Sequence, residues 1–143
     1  MITFNIQEVK LKLGNRKQTR VWLSSEIIAL GYKPGNVNYI FCNDEYLSAL
    51  NTKYLAHKTL TDIITFDYTE GKKLSGDIFI SVERVAENAG KYGNPFYDEL
   101  HRVMIHGVLH LAGFKDKTEA EKLEMRKQEG LCIDHLNSSL NNL

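Results

Sequence analysis

The spacing of hydrophobic and polar positions predicts an alternation of strands and helices in the N-terminal half. Ile2, Phe4 and Ile6 alternate with polar residues, which is the pattern of a half-buried strand. The pattern then predicts a helix over residues 16–30, a strand over residues 37–42 and a helix from near Asp44. Pro34-Gly35 predicts a turn between the first helix and the second strand.

The C-terminal half predicts two further strands and then helices. The β-branched and apolar runs at residues 62–67 and 76–81 are separated by a polar connection at residues 70–73 that suits a hairpin. Ser81 is suited to be the N-cap of a helix that runs to Gly93. A helix with a wide apolar face follows, and Thr118 with Glu121 has the spacing of a capping box for the last helix. The succession predicts an α+β fold with a small mixed sheet of about four strands, flanked by helices.

Composition limits the class of protein further. With 143 residues and 43% hydrophobic content, the chain is expected to form a single domain over residues 1–143. Lys plus Arg balance Asp plus Glu at 18 each, so any contact with RNA has to come from a local surface. Cys42 and Cys132 have neither metal nor redox spacing, which suits reduced thiols. Because no basic leader or long apolar run is present, we expect a soluble cytoplasmic protein.

One short segment concentrates side chains that bind metals. His106 and His110 are four residues apart, so on a helix they share one face and can point to a common ion. Gly113, just past the helix, can turn the backbone so that Asp116 comes back toward the two imidazoles. Two nitrogens and one carboxylate oxygen leave a fourth position open for water, which is typical of a catalytic zinc. We therefore expect one divalent metal, zinc in the first place, although nickel, cobalt, manganese or iron suit the same donors.

The residue after the first histidine argues against peptide hydrolysis. In zincin metalloproteases this position holds the glutamate that acts as general base, whereas here it is Gly107. Peptide hydrolysis by that route is therefore not expected, and the sequence shows no other general base.

Three motifs together resemble a known family. The run at residues 106–114, HGVLHLAGF, is preceded by TDIITF at residues 61–66 and GDIFIS at residues 76–81. In this order they are similar to the YbeY family of bacterial metal-dependent endoribonucleases. The resemblance implies a zincin-like fold with zinc on a helix-borne histidine set. It also implies hydrolysis of single-stranded RNA, in maturation of the 16S rRNA 3′ end and ribosome quality control. The implied partners are ribosomal RNA and the ribosome, with neither DNA nor a membrane.

The chain departs from the family pattern at two positions. The family's usual third ligand is a histidine, and Asp116 stands at that position here. A carboxylate is an acceptable zinc ligand, but its charge makes a bound water less acidic than three imidazoles would. The family also shows an arginine where this chain has Leu55. His57 and Lys58 are the nearest candidates for a substituted phosphate contact.

Two alternatives to the ribonuclease stay open on sequence grounds. One is a metallohydrolase for another small ester, amide or phosphate, and the other is a ribosome-associated factor with a structural metal. Gly107 argues against a peptidase among the first group. The three-ligand set argues against the second, since structural zinc normally has four protein ligands.

Overall fold

The computed structural model describes residues 1–55 and 61–141. Within them the elements follow the predicted order. They are β1 (Ile2–Ile6), α1 (Arg16–Ala29), β2 (Lys33–Cys42), α2 (Asp44–Leu55), β3 (Ile63–Asp67), β4 (Lys73–Ser81), α3 (Val82–Tyr92), α4 (Phe96–Leu111) and α5 (Glu119–Asn141). The prediction of an α+β fold is confirmed.

The four strands form one mixed sheet in the order β1-β2-β4-β3. β1 pairs with β2 and β2 pairs with β4 in parallel, whereas β3 is an antiparallel edge strand beside β4. Parallel neighbours need a crossover, which α1 supplies between β1 and β2. The polar connection between β3 and β4 is a hairpin turn, in which the backbones of Glu70 and Lys73 exchange hydrogen bonds of 3.1 and 2.9 Å. The predicted hairpin is therefore confirmed.

Helices cover both faces of the sheet. On one face α4 packs across β3 and β4, and the buried Tyr39 hydroxyl donates a 2.8 Å hydrogen bond to the backbone oxygen of Met104 in α4. On the other face α2 places Leu47 against Cys42 and Ile64. In the described part of the chain, none of the helices has the length and apolar character needed to cross a membrane.

Local signals in the sequence set the helix ends as predicted. The Ser81 side chain accepts a hydrogen bond of 3.2 Å from the backbone of Arg84, and so caps α3 at its start. Gly93, at φ +71°, ends the same helix in the left-handed conformation. The Thr118 side chain accepts from the backbone of Glu121, whose carboxylate accepts from the backbone of Thr118, so the predicted capping box precedes α5.

The turn predicted at Pro34-Gly35 is wrong, because β2 begins before it, at Lys33. The strand accommodates the proline through an irregular register between Pro34 and Val37. At Gly35 a β-carbon would collide with the Ser75 side chain, so only glycine lets β2 approach β4 this closely. The dipeptide marks a bulge inside a strand.

Candidate metal centre

Helix α4 places two imidazoles side by side near its C-terminal end. His106 and His110 lie one turn apart, with ring centroids separated by 4.5 Å and ring planes at 81°. Their side chains are 15% and 27% exposed, so both rings are partly buried. Apart from Glu99, the buried residues of α4 are apolar, and their burial fixes the direction in which the histidine face points.

A glycine turn brings the third donor to the histidines. Gly113 has a φ of +100°, and Phe114 donates a 3.0 Å backbone hydrogen bond to Leu109, while Gly113 donates to the oxygen of His110. These two bonds define a Schellman turn at the end of α4. The chain reverses there, and Oδ2 of Asp116 comes to 3.3 Å from Nε2 of His106 and of His110. The structure thus brings together the three residues that the sequence singles out.

The donor set and its spacing fit a small divalent cation. The three ligand atoms all lie within 4.8 Å of one another. With metal–ligand distances of about 2.0–2.2 Å, neighbouring donors of a tetrahedral zinc site lie about 3.3–3.6 Å apart. The two separations between Asp116 and the imidazoles match this value at 3.3 Å. His106, His110 and Asp116 could therefore hold a metal ion.

A buried acid on another helix contacts His106 at Nδ1, whereas Asp116 contacts Nε2. Oε2 of Glu129, in α5, lies 2.5 Å from Nδ1 of His106, and Glu129 is only 2% exposed. Burial raises the pKa of Glu129, but the hydrogen bond with His106 and the charge of Arg102 outweigh it and hold the pKa below its usual value. Glu129 is therefore a charged acceptor at neutral pH.

Arg102 holds this acid in place. Its Nη1 donates to Oε1 of Glu129 at 3.1 Å, while Nε and Nη2 form a two-pronged contact with Glu99 at 2.7 and 2.8 Å. The hydrogen bond with Glu99, together with the neighbouring carboxylate charges, raises the pKa of Arg102 above its ordinary value. Nη2 also lies 4.0 Å from Oδ2 of Asp62, just before β3. The guanidinium thus connects α4, α5 and the start of the edge strand.

Sequence reasoning missed Glu129 and Arg102, although one signal was present. Met125, Cys132 and Leu136 form the buried stripe of α5, and Glu129 occupies the helical position between them. An acid inside an apolar stripe is either paired or costly, so its position points to a buried cation or histidine partner. The identity of that partner depends on how α5 docks on α4, which the pattern does not give.

The close packing of α4 on the sheet explains why position 107 is a glycine. A β-carbon there would lie 2.9 Å from Cγ2 of Ile78 and 3.2 Å from Cδ1 of Ile63. The position faces the sheet across a close helix–strand contact, so even a methyl group requires its neighbours to shift. Position 107 therefore supplies no glutamate base, and the packing leaves no space for a glutamate side chain there.

Two predicted phosphate contacts lie apart from this cluster in the sequence. His57 and Lys58 fall outside the described residues. Leu55, at the family's arginine position, is the last residue of α2. The role of His57 and Lys58 stays a prediction.

The fold and the donor set define a class before any comparison. A mixed sheet with an antiparallel edge strand, crossed by a helix that carries His-x3-His and followed by a glycine turn to a third ligand, is the arrangement of a zincin-like metal-site domain. The family model described as Endoribonuclease YbeY matches residues 2–137. This chain belongs to the YbeY family.

Individual relatives agree with this assignment. The chain is 50% identical over 129 residues to Endoribonuclease YbeY of Flavobacterium johnsoniae, covering 90% of this chain and 92% of the relative. It is 42% identical over 132 residues to Endoribonuclease YbeY of Bacteroides thetaiotaomicron, covering 92% and 96%. The solution structure of TM1509 from Thermotoga maritima is similar with a TM-score of 0.70 at 25% identity, covering 99% of this chain and 93% of that one.

Proposed function

We propose that this chain is a metal-dependent endoribonuclease in which His106, His110 and Asp116 hold one divalent cation, zinc in the first place. The observation that carries the proposal is the approach of one Asp116 oxygen to within 3.3 Å of both imidazole nitrogens. Support for the activity comes from relatives named Endoribonuclease YbeY that match over nine-tenths of the chain. The chemistry is hydrolysis of RNA phosphodiesters.

Each of the three candidate ligands has its own role in the proposed site. His106 and His110 bind the cation through Nε2 as neutral donors, and Asp116 adds one negative charge to the set. Bound there, a divalent cation supplies Lewis-acid stabilisation for the charge that develops on a phosphoryl oxygen. The Asp116 side chain is 39% exposed, whereas the His106 and His110 side chains are 15% and 27% exposed, so we expect substrate to approach from the side of the glycine turn.

We extend the proposal to the substrate that the family resemblance implies. The substrate is single-stranded ribosomal RNA, with a role in maturation of the 16S rRNA 3′ end and ribosome quality control. The ribosome is then the partner, and the cytoplasm the place of action. His57 and Lys58 are proposed as phosphate contacts in place of the family's arginine.

The experiment uses the purified full-length chain and measures bound metal and RNA cleavage together. Wild type, His110→Ala and Asp116→Ala are compared on a single-stranded RNA and on its duplex, before and after chelation and with zinc restored. His135→Gln is the matched histidine control, because His135 lies outside the metal set and the glutamine amide can still donate to Glu26.

We expect both site variants to lose metal and cleavage together, and the control to retain both. We also expect Asp116→His to keep or strengthen zinc binding, since it restores a neutral imidazole. Wild type that binds metal but leaves RNA intact would support a different metallohydrolase. Zinc affinity unchanged in Asp116→Ala would remove Asp116 from the ligand set.

A further inference from the structure

The two nitrogens of the His106 ring have different partners on opposite sides. Nε2 faces Asp116 at 3.3 Å, and Nδ1 faces Glu129 at 2.5 Å. A neutral imidazole carries one proton, so only one of these nitrogens can offer a lone pair to a metal. Which nitrogen carries the proton is set by the hydrogen bond made on the other side of the ring.

As an ionised carboxylate beside Arg102, Glu129 acts on His106 as an acceptor. Its second oxygen, Oε1, accepts a 3.1 Å hydrogen bond from Nη1 of Arg102, which has no acceptor atoms. Arg102 is in turn held by its two contacts with Glu99, so it cannot turn away from Glu129. An ionised carboxylate fixed in this way requires a proton on the nitrogen that faces it.

We propose that Glu129 is a positioning residue that keeps the proton of His106 on Nδ1 and thereby directs the Nε2 lone pair into the metal site. Arg102 supports this role by fixing the Glu129 carboxylate from the other side. The inference rests on the proposed metal site, and it adds α5 to a site whose three donors come from α4 and the turn after it. Carboxylates that hold a ligating histidine from behind commonly raise metal affinity.

Glutamine at position 129 has almost the same shape as glutamate, but it would place a hydrogen-bond donor, in place of an acceptor, opposite Nδ1 of His106. Arg102 offers only donors, so the amide oxygen of Gln turns to Arg102 and the amide NH₂ turns to His106. Nδ1 then has to accept a hydrogen bond, and the favoured position of the proton becomes Nε2, where it competes with metal binding. A purely structural role for Glu129 would produce no such change of tautomer.

The chain contains a matched control that contacts the same helix. Glu26 is 6% exposed, and its Oε1 lies 2.7 Å from Nδ1 of His135 in α5. Its other oxygen accepts from the Cys132 thiol at 3.1 Å. Glu26→Gln therefore changes a buried carboxylate with a histidine partner, as Glu129→Gln does, but it leaves the metal ligands untouched.

The experiment measures zinc affinity and the protonated ring nitrogen of His106 in the full-length chain. Zinc alone is the probe, titrated against a chromophoric chelator into wild type, Glu129→Gln and Glu26→Gln. Long-range proton–nitrogen correlation spectra of histidine-labelled protein identify the protonated nitrogen in the zinc-free and zinc-loaded states. The His110→Ala variant reports on the metal site itself.

We expect Glu129→Gln to bind zinc about 10- to 100-fold more weakly. Glu26→Gln should keep the affinity of wild type. Zinc-loaded wild type should carry its His106 proton on Nδ1, and the zinc-free Glu129→Gln variant should carry it on Nε2. Equal zinc affinity in wild type and Glu129→Gln would overturn the proposal.

Two further outcomes keep the inference separate from the proposed function. If Glu129→Gln does not fold, the wild-type spectrum decides alone, and zinc bound through Nδ1 of His106 overturns the role of Glu129. If wild type and His110→Ala bind zinc equally, the metal site itself is wrong. Normal loss of zinc in His110→Ala with no effect of Glu129→Gln refutes only the positioning role.

Discussion

The close packing of α4 on the sheet can be tested by adding a single methyl group at Gly107. The β-carbon of Gly107→Ala would lie 2.9 Å from Cγ2 and 3.0 Å from Cδ1 of Ile78, and 3.2 Å from Cδ1 of Ile63. Ordinary contacts between carbon atoms are about 3.5–4.0 Å, so either α4 or the isoleucines have to move by several tenths of an ångström. Ile78 is fully buried and branched at Cβ, which carries Cγ2, and this limits how far the side chain can give way.

The expected magnitude follows from two opposing effects. Alanine stabilises a helix interior by about 1 kcal/mol relative to glycine. Overpacking a well-filled core costs about 1–3 kcal/mol. Gly107→Ala should therefore lower the free energy of unfolding by about 0–2 kcal/mol. A β-carbon added at Gly130, inside α5, would meet no atoms within 4 Å, so Gly130→Ala should raise the free energy of unfolding by about 1 kcal/mol.

Denaturant unfolding of both variants with chelator present isolates the packing effect, because helix propensity is common to the two. The difference between them should be about 1–3 kcal/mol, with Gly107→Ala the less stable. Zinc affinity should fall in Gly107→Ala, since a shift of α4 moves His106 relative to α5. Equal stabilisation of the two variants would refute the steric account of Gly107.

Three further predictions concern groups away from the metal donors. Burial lowers the pKa of His101, although the charge of Asp98 opposes this effect. Unfolded chains therefore take up the proton at a higher pH than folded ones, and stability falls as the pH drops below about 6.5. In denaturant unfolding across that range, His101→Phe should lose less stability than wild type. Tyr39→Phe removes a buried hydrogen bond to α4 and should cost about 0.5–1.5 kcal/mol in the same assay. Burial raises the pKa of Cys42 to about 12 and also raises that of Cys132, so a thiol reagent should label both only after denaturation.

Most of the fold was predictable because its signals are local. Alternating residues, the Ser81 cap, the Thr118 capping box and the turn at Gly113 each act within a few residues of the chain. Pro34-Gly35 was misjudged because its conformation depends on strand β4, which lies about forty residues further along the chain. Propensity alone favours a turn there, and pairing with the neighbouring strand overrides it.

As with the fold, some residues of the candidate site can be predicted from local sequence, and others depend on contacts between distant parts of the chain. His106, His110 and Asp116 lie within one helix and the turn that ends it, so their convergence follows from helical spacing and a glycine. Glu129 contacts His106 from 23 residues further along the chain, and the contact depends on how α5 docks on α4. The three candidate metal donors could therefore be identified from the sequence, whereas the acid that contacts one of them from another helix could not.

The charges around the imidazoles bear on how an anionic substrate approaches. Among the described residues, Arg102 is surrounded by Asp62, Glu99 and Glu129, and Asp116 adds a further carboxylate on the solvent side. These four carboxylates outnumber the one guanidinium, so the cluster by itself is unfavourable for an approaching phosphate group. A divalent cation held by the three candidate donors would offset much of this charge, so we expect a bound cation to favour the approach of a phosphate group. Because Arg102 is occupied by carboxylates, basic contacts with RNA have to come from outside this cluster, which is the role predicted for His57 and Lys58.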